Sequence, residues 1–413
     1  MLSAMKPPHY AWIVLSIATL AVFGALGLAR FGYTSVLPAM QTDLNLTNAQ
    51  SGMLASLNLA GYLLMAVIGG ALAARFGPRT VVTLGLILAG AGMVFTGLAQ
   101  GYAAIAVWRV VTGIGSGMSN VPVMALIPAW FAAKRRGFAT GIAATGSSFG
   151  LILVGPLVPR LLEAYGDGQG WRVSWFVFGG VALALAALSG VLLRNHPREK
   201  GLTPFGSVES DSSPAAQAGP GSQSISWGRV YRSFAVWYLG LVYIAFGFSY
   251  MIYLTFFAKR LIAEGGFASA QAGGLFMTIG WISLICGVLW GTVSDVIGRK
   301  GALVIVYLFH AVAFTAFGLG GFNLSAVVFG LSAWSIPAIV TATCGDVLGP
   351  RLAPAALGFI TLFFGVGQAL GPIVAGMMAD ASGGFASSYI LAGGVALLGA
   401  LGASLIRPAP VVD

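Results

Sequence analysis

Apolar residues run along this chain in long unbroken stretches, not in the one-sided stripe of a soluble amphipathic helix. A helix that crosses a bilayer needs about 20 mostly apolar residues. Breaks in the pattern leave twelve stretches of that length: 10–38, 50–74, 80–99, 102–131, 137–164, 171–193, 233–258, 268–292, 301–320, 323–346, 354–380 and 385–407. They predict an all-α membrane protein of twelve transmembrane helices, arranged as two six-helix bundles over 1–193 and 233–413. Between them, 194–232 is the only long polar stretch. It contains SVESDSSPAAQAGPGSQS, which has too little apolar surface to fold alone and reads as a flexible linker.

Composition agrees. Of 413 residues, 58% are hydrophobic and 8% charged, whereas a soluble domain carries about 25% charged residues. So few charges cannot cover a soluble surface, which excludes a soluble enzyme or DNA-binding protein. The net charge of +10 forms no basic stripe of the kind nucleic acid requires. Its distribution sets orientation instead, because Lys and Arg collect in cytoplasmic loops. With both termini inside, 15 of the 21 basic residues are cytoplasmic, from Lys6, Arg75 and Arg79 through the linker to Arg351 and Arg407. Arg160, Arg172, Lys259 and Arg260 fall outside, and Arg30 and Arg109 fall within spans. The first span has no small-residue cleavage site before Arg30 and reads as an uncleaved helix. These features predict a multi-pass membrane protein with both termini cytoplasmic, in contact with lipid, and a monomer is expected.

The loop after the second span reads GALAARFGPR from Gly70, and the loop after the eighth reads GTVSDVIGRK from Gly291. Gly70 aligns with Gly291, Gly77 with Gly298, and Arg79 with Lys300. The pairs Gly155-Pro156 and Gly371-Pro372 repeat in the same way in spans 5 and 11. Parallel repeats of six helices are the arrangement of a rocking transporter. At these residues the chain resembles the major facilitator superfamily, whose loop signature is G-x-x-x-D-R-x-G-R-R. The second copy matches at Gly291, Asp295, Gly298, Arg299 and Lys300; the first departs at Ala74 and Pro78. The resemblance implies a latch on the cytoplasmic side, in which Asp295 meets a helix end of the other half, with Arg299, Arg75 and Arg79 as neighbouring gating candidates. Arg109, Gly113, Gly115 and Gly117 resemble a second family signature. Gly150, Gly155 and Pro156 weakly resemble an antiporter-type motif. Ala29–Thr34, Leu57–Tyr62 and Gly349–Ile360 resemble the YbfB/YjiJ-type bacterial branch, which implies fold and localisation but little chemistry.

An ionisable side chain inside a span is costly and is read as functional by default. Arg30 and Arg109 lie at a similar depth, roughly 11 Å inside the outer helix ends by a 1.5 Å rise per residue. Two guanidiniums at one level suit a carboxylate or another oxyanion. Arg109 is read as substrate-contacting or as structural, and Arg30 as functional or as snorkelling to the interface. No Asp or Glu occupies the middle of a predicted span, although a carrier of cations would want one. His310 is either a neutral imidazole bonded to a neighbouring helix or a proton site. Tyr33, three residues from Arg30, is expected on its face. Asn58 is helix–helix glue or a ligand, and Asn120 precedes Pro122. Tyr250 and Tyr253, three apart, are expected to face one way, with Trp281, Trp334, Phe364 and Gln368 completing an aromatic wall.

Cys286 and Cys344 sit far apart in apolar stretches and read as buried small residues. No metal-ligand spacing, phosphate loop or nucleophile–base set appears, so no cofactor, metal or enzymatic activity is expected. The reading is a secondary active transporter of a small organic anion, driven by a proton or anion gradient. The alternative is a proton-coupled efflux pump for drugs or amphiphiles.

Overall fold

The structure is a computed structural model and describes residues 9–207 and 227–406. Lys6, Arg407 and the linker segment 208–226 lie outside the described residues. Twelve long helices follow one another: α1 Ala11–Asp43, α2 Asn48–Phe76, α3 Pro78–Leu98, α4 Tyr102–Trp130, α5 Lys134–Tyr165, α6 Gly168–Leu192, α7 Phe234–Ala263, α8 Ser269–Ile297, α9 Arg299–Gly318, α10 Phe322–Leu348, α11 Ala355–Ser382 and α12 Ala386–Ser404. Eleven are long and apolar enough to cross a membrane as they stand. The twelfth, α2, bends by 47° between Asn48–Ala66 and Ile68–Phe76. Among the described residues the only β-type pairing is an isolated bridge, Phe131 with Phe205.

The helix boundaries follow local chemistry. Thr47 caps α2, its hydroxyl accepting from the Gln50 amide while the Gln50 side chain returns to the Thr47 N–H, a reciprocal capping box. The internal repeat is visible in the backbone. Gly77 ends α2 at φ 82° and Gly298 ends α8 at φ 85°, a region that favours glycine. α1 also runs straight through Pro38 to Asp43, five residues past the predicted end, because a proline inside a membrane helix is tolerated when neighbours re-satisfy the backbone. The connection between α10 and α11 is itself helical, since the backbone is continuous from Ser335 to Ser382.

Two helices are irregular within their spans. In α1, Phe23–Phe31 is a π-helix, a form found often at functional sites. In α10, a turn separates Phe322–Gly330 from the helix that starts at Ser335. The two irregular stretches meet: the rings of Phe31 and Trp334 are 5.6 Å apart.

The first part of the linker is not loose. Phe205 exchanges backbone hydrogen bonds with Trp130 and Ala132, its ring contacts Trp12 at 5.3 Å, and Arg135 lies over it. Residues up to 207 are therefore fastened to the N-terminal helices. The flexible-linker expectation is left to the segment outside the described residues.

We call the end that carries the α2–α3 and α8–α9 turns the near end, and the opposite one the far end. At the far end the first six helices meet the last six in backbone contact. A Cβ on Gly52 of α2 would lie 2.0 Å from the Pro372 carbonyl oxygen, and one on Gly376 of α11 would lie 2.2 Å from that of Asn48. Gly155 of α5 and Gly273 of α8 exclude each other's Cβ in the same way, at 2.4 and 2.1 Å. Asp380 seals the seam: its carboxylate accepts from the Asn48 and Ala49 N–H groups at 3.0 and 2.8 Å, a negative charge on the positive end of α2. Towards the near end Gly70, Gly141, Gly287 and Gly291 of the same helices face open space.

Candidate functional site

Where the seam ends, polar side chains from both sets of helices converge. Arg30 projects from the π-helical stretch of α1 and is 8% exposed. Its guanidinium lies 4.4 Å from the centre of the Tyr62 ring on α2, and it is beside the Tyr250 hydroxyl of α7. Its Nε and Nη2 have no hydrogen-bond partner. A buried charged donor left unpaired is expensive, and among the described residues nothing accepts from these two groups.

Arg109, on α4, is fastened. Its Nη1 donates to the Ala29 carbonyl of the π-helical stretch at 2.9 Å. Its guanidinium lies over Tyr33 at 4.7 Å and Trp175 at 5.3 Å. It thus clamps α1 to α4 and α6, which favours the structural alternative for this arginine, although its Nε is unpartnered. Tyr33 does not share the Arg30 contacts: its hydroxyl donates to the Ser51 carbonyl at 2.7 Å, and its ring serves Arg109. Asn58 donates to the Arg109 carbonyl at 3.0 Å, the glue role. Asn120 donates to the Tyr62 hydroxyl at 2.9 Å, so it reaches Arg30 through that ring.

The last six helices supply aromatic faces. Tyr250 stacks on Phe246 at 4.6 Å and lies parallel to Phe364 at 5.8 Å, and Gln368 donates to its hydroxyl. Trp334 donates through Nε1 to Ser148 at 3.1 Å, and Ser148 shares a 2.8 Å hydrogen bond with Ser283. This chain ties α10 to α5 and α8 at the edge of the cluster. Tyr62, Trp334 and Phe364 keep part of their surface accessible.

Several expectations need correction. Tyr253 does not face the cluster with Tyr250. It is fully buried among Phe314, Phe317 and Phe329 and its hydroxyl pairs with Ser325 at 2.9 Å, because a helix packed on all sides sends residues three apart to different neighbours. Trp281 is 56% exposed on a stripe with Ile285, Val288 and Leu289, an apolar face towards lipid. His310 is buried, 3.2 Å from the Ser332 carbonyl and beside Phe246 and Phe314, in the core of the last six helices. Asp295 pairs with Arg299 on its own half, and Arg299 also holds Asp346 at 3.1 Å, so among the described residues Asp295 forms no ion pair with the first six helices. Arg79 binds the Gly190 carbonyl at the end of α6, while Arg75 lies against Phe76. Tyr62 is the residue that sequence reasoning missed as a site member. The signal was its place four residues after Asn58, one helical turn on. Among the described residues no group of His, Cys, Asp or Glu is arranged to hold a metal.

Eleven helices apolar enough to cross a membrane, twelve with the bent α2, define a multi-pass membrane protein, and its family is one of transporters, not of enzymes. The chain belongs to the major facilitator superfamily, whose family model matches residues 19–361 and 239–413. It is 27% identical to the probable sulfoacetate transporter of Cupriavidus necator, over 97% of this chain and 95% of that protein. It is 24% identical to the hexuronate transporter of Bacillus subtilis, over 92% and 91%, and 26% identical to human monocarboxylate transporter 11, over 95% and 82%. Among solved structures, the inward-open xylose transporter of E. coli superposes with a TM-score of 0.78 at 18% identity, covering 98% of each chain. A bacterial Spinster homologue in its inward-facing form gives 0.77 at 18%, covering 97% of this chain and 98% of that one.

Proposed function

We propose that this chain is a secondary active carrier of a small organic anion bearing a carboxylate or a similar oxyanion. The observation that carries the reading is Arg30: buried, charged, with two N–H groups unpartnered. Among the described residues no carboxylate faces it. A planar guanidinium edge of this kind pairs an oxyanion bidentately. The relatives named for sulfoacetate, hexuronate and monocarboxylate point to the same charge class. Tyr250, Phe364 and Trp334 then receive the body of the substrate, and Tyr62 with Asn120 holds Arg30 in place. A carrier of lipophilic cations would need a buried carboxylate where this protein keeps a guanidinium.

In this reading the bundles 1–193 and 233–413, joined by 194–232, rock about the cluster to alternate access, powered by a proton or anion gradient. The near end faces the cytoplasm of a bacterial inner-membrane protein with both termini inside, a reading that the positive-inside distribution supports. The carrier works as a monomer. The test is ligand-induced thermal stabilisation of the purified protein by a panel of carboxylates, sulfonates and lipophilic cations, since a ligand that binds the native state raises its stability. Stabilisation confined to anions and lost in Arg30→Ala is the expected result. Cation hits that survive Arg30→Ala would overturn the proposal.

A further inference from the structure

Arg30 is not the only member of the cluster with an unmet polar group. Asn120 of α4 is 9% exposed, and the two ends of its amide differ. Nδ2 donates to the Tyr62 hydroxyl at 2.9 Å, whereas among the described residues nothing donates to Oδ1. The Tyr62 hydroxyl faces Nδ2 and does not also serve Oδ1. α4 runs from the far end to the near end, so Asn120 lies on the near-end side of Arg109. Tyr62 stands between the two unmet groups. The Arg30 guanidinium lies over its ring at 4.4 Å, and Asn120 meets the hydroxyl at the edge of the same ring.

The hydroxyls of Tyr62 and Tyr250 can donate or accept, so they place no demand on a ligand. The one-way atoms do. Arg30 Nε and Nη2 only donate, and they take the anionic group. Asn120 Oδ1 only accepts. It repels a carboxylate, and it carries the cost of a buried unpaired acceptor until a donor reaches it. An ammonium would be set against Arg30, so the fitting donor is neutral, and a hydroxyl is the smallest. We infer that Asn120 determines specificity by reading a hydroxyl on the substrate, so that polyhydroxylated acids are taken in preference to plain hydrocarbon acids of the same length. The inference deepens the proposal above and rests on it for the anion at Arg30. Because the Tyr62 ring separates the two groups, the hydroxyl that Asn120 reads lies several bonds from the carboxylate. The body of the substrate then has two sides. Its C–H side lies on the Tyr250 and Phe364 rings of the last six helices, and its hydroxyl side turns to Asn120 of the first six. A hydrocarbon acid satisfies Arg30 but leaves Oδ1 unpaired, and a site built to bond a hydroxyl discriminates strongly against the analogue that lacks it.

The test follows thermal unfolding of the purified full-length protein against matched ligands: gluconate with hexanoate, levulinate with valerate, and uncharged sorbitol. Gluconate is expected to half-saturate at a concentration at least about tenfold below hexanoate, the worth of one hydrogen bond and of the acceptor it satisfies. In Asn120→Leu that ratio should fall to near one. The ratio is the readout, because the variant also loses the bond to Tyr62 and weakens every acid alike through Arg30. Levulinate, whose oxo group accepts but cannot donate, should gain nothing over valerate. Equal binding of gluconate and hexanoate, or a ratio unchanged in Asn120→Leu, would overturn the inference and leave the carrier reading standing. A levulinate preference as large as that for gluconate would overturn it too, since Asn120 would then be presenting its N–H. If no acid stabilises the protein, or if all still do so in Arg30→Ala, the carrier reading falls and sorbitol decides the rest. A sorbitol effect lost in Asn120→Leu keeps the hydroxyl-reading role, and no sorbitol effect removes both.

Discussion

The two sets of helices wall the cluster with different chemistry. The first six bring the charge: Arg30 and Arg109, steadied by Tyr62, Asn58 and Asn120. The last six bring surface: Tyr250, Phe364 and Trp334, with one amide, Gln368, on the Tyr250 hydroxyl. The contrast recurs within the charged wall. Arg109 spends itself on the Ala29 carbonyl and two aromatic faces, whereas Arg30 has only the Tyr62 ring beneath it and the Tyr250 hydroxyl beside it. A buried arginine is thus not one kind of residue. One is an architectural clamp and the other is an unfilled valence, and their hydrogen-bond inventories tell them apart.

The sharpest way to break this contrast is to remove each arginine in turn. Arg109→Leu should cost about 1.5–3 kcal/mol, the worth of a hydrogen bond from a charged group. It should be seen as poor accumulation and early unfolding on heating. Arg30→Ala should leave the fold and Tm largely intact in the absence of ligand but weaken anion binding by roughly 10–100-fold, the worth of hydrogen bonds to a charge. Equal loss of stability in both variants would erase the distinction. On the aromatic wall, Tyr250→Phe removes one hydroxyl and should weaken binding only about fivefold, near 1 kcal/mol, in a titration of the same anion. Trp281→Ala should change binding by less than a factor of two, because its ring lies on the exposed stripe; a large loss would return it to the site.

Much of this architecture was legible from the order of residues. The spans could be counted because the bilayer demands an apolar run of set length. Arg30 and Arg109 stood out because charges inside such runs are rare. What was hidden has physical causes. Trp281 and Trp334 look alike in sequence, since a helix apolar on every side does not tell its lipid face from its packed face. Tyr250 and Tyr253 were separated by the surrounding helices, not by their own spacing. The π-helical stretch Phe23–Phe31 carries no compositional mark, yet it delivers both Arg30 and the Ala29 carbonyl to their places. Tyr62 was overlooked because its one sequence signal, its place a helical turn after Asn58, does not reveal that its ring lies against Arg30 of another helix.

The far-end seam is also an electrical insulator. Glycine meets carbonyl there without an intervening side chain at Gly52, Gly376, Gly155 and Gly273, which leaves little room for water between those backbones. In the carrier reading proposed above, a membrane potential then falls chiefly across the seam, at about 2.3 kcal/mol per unit charge per 100 mV, and an anion arriving at Arg30 from the near end crosses little of that field. In that proposed carrier, the electrical work of transport falls on the step in which the seam moves from one side of the bound charge to the other.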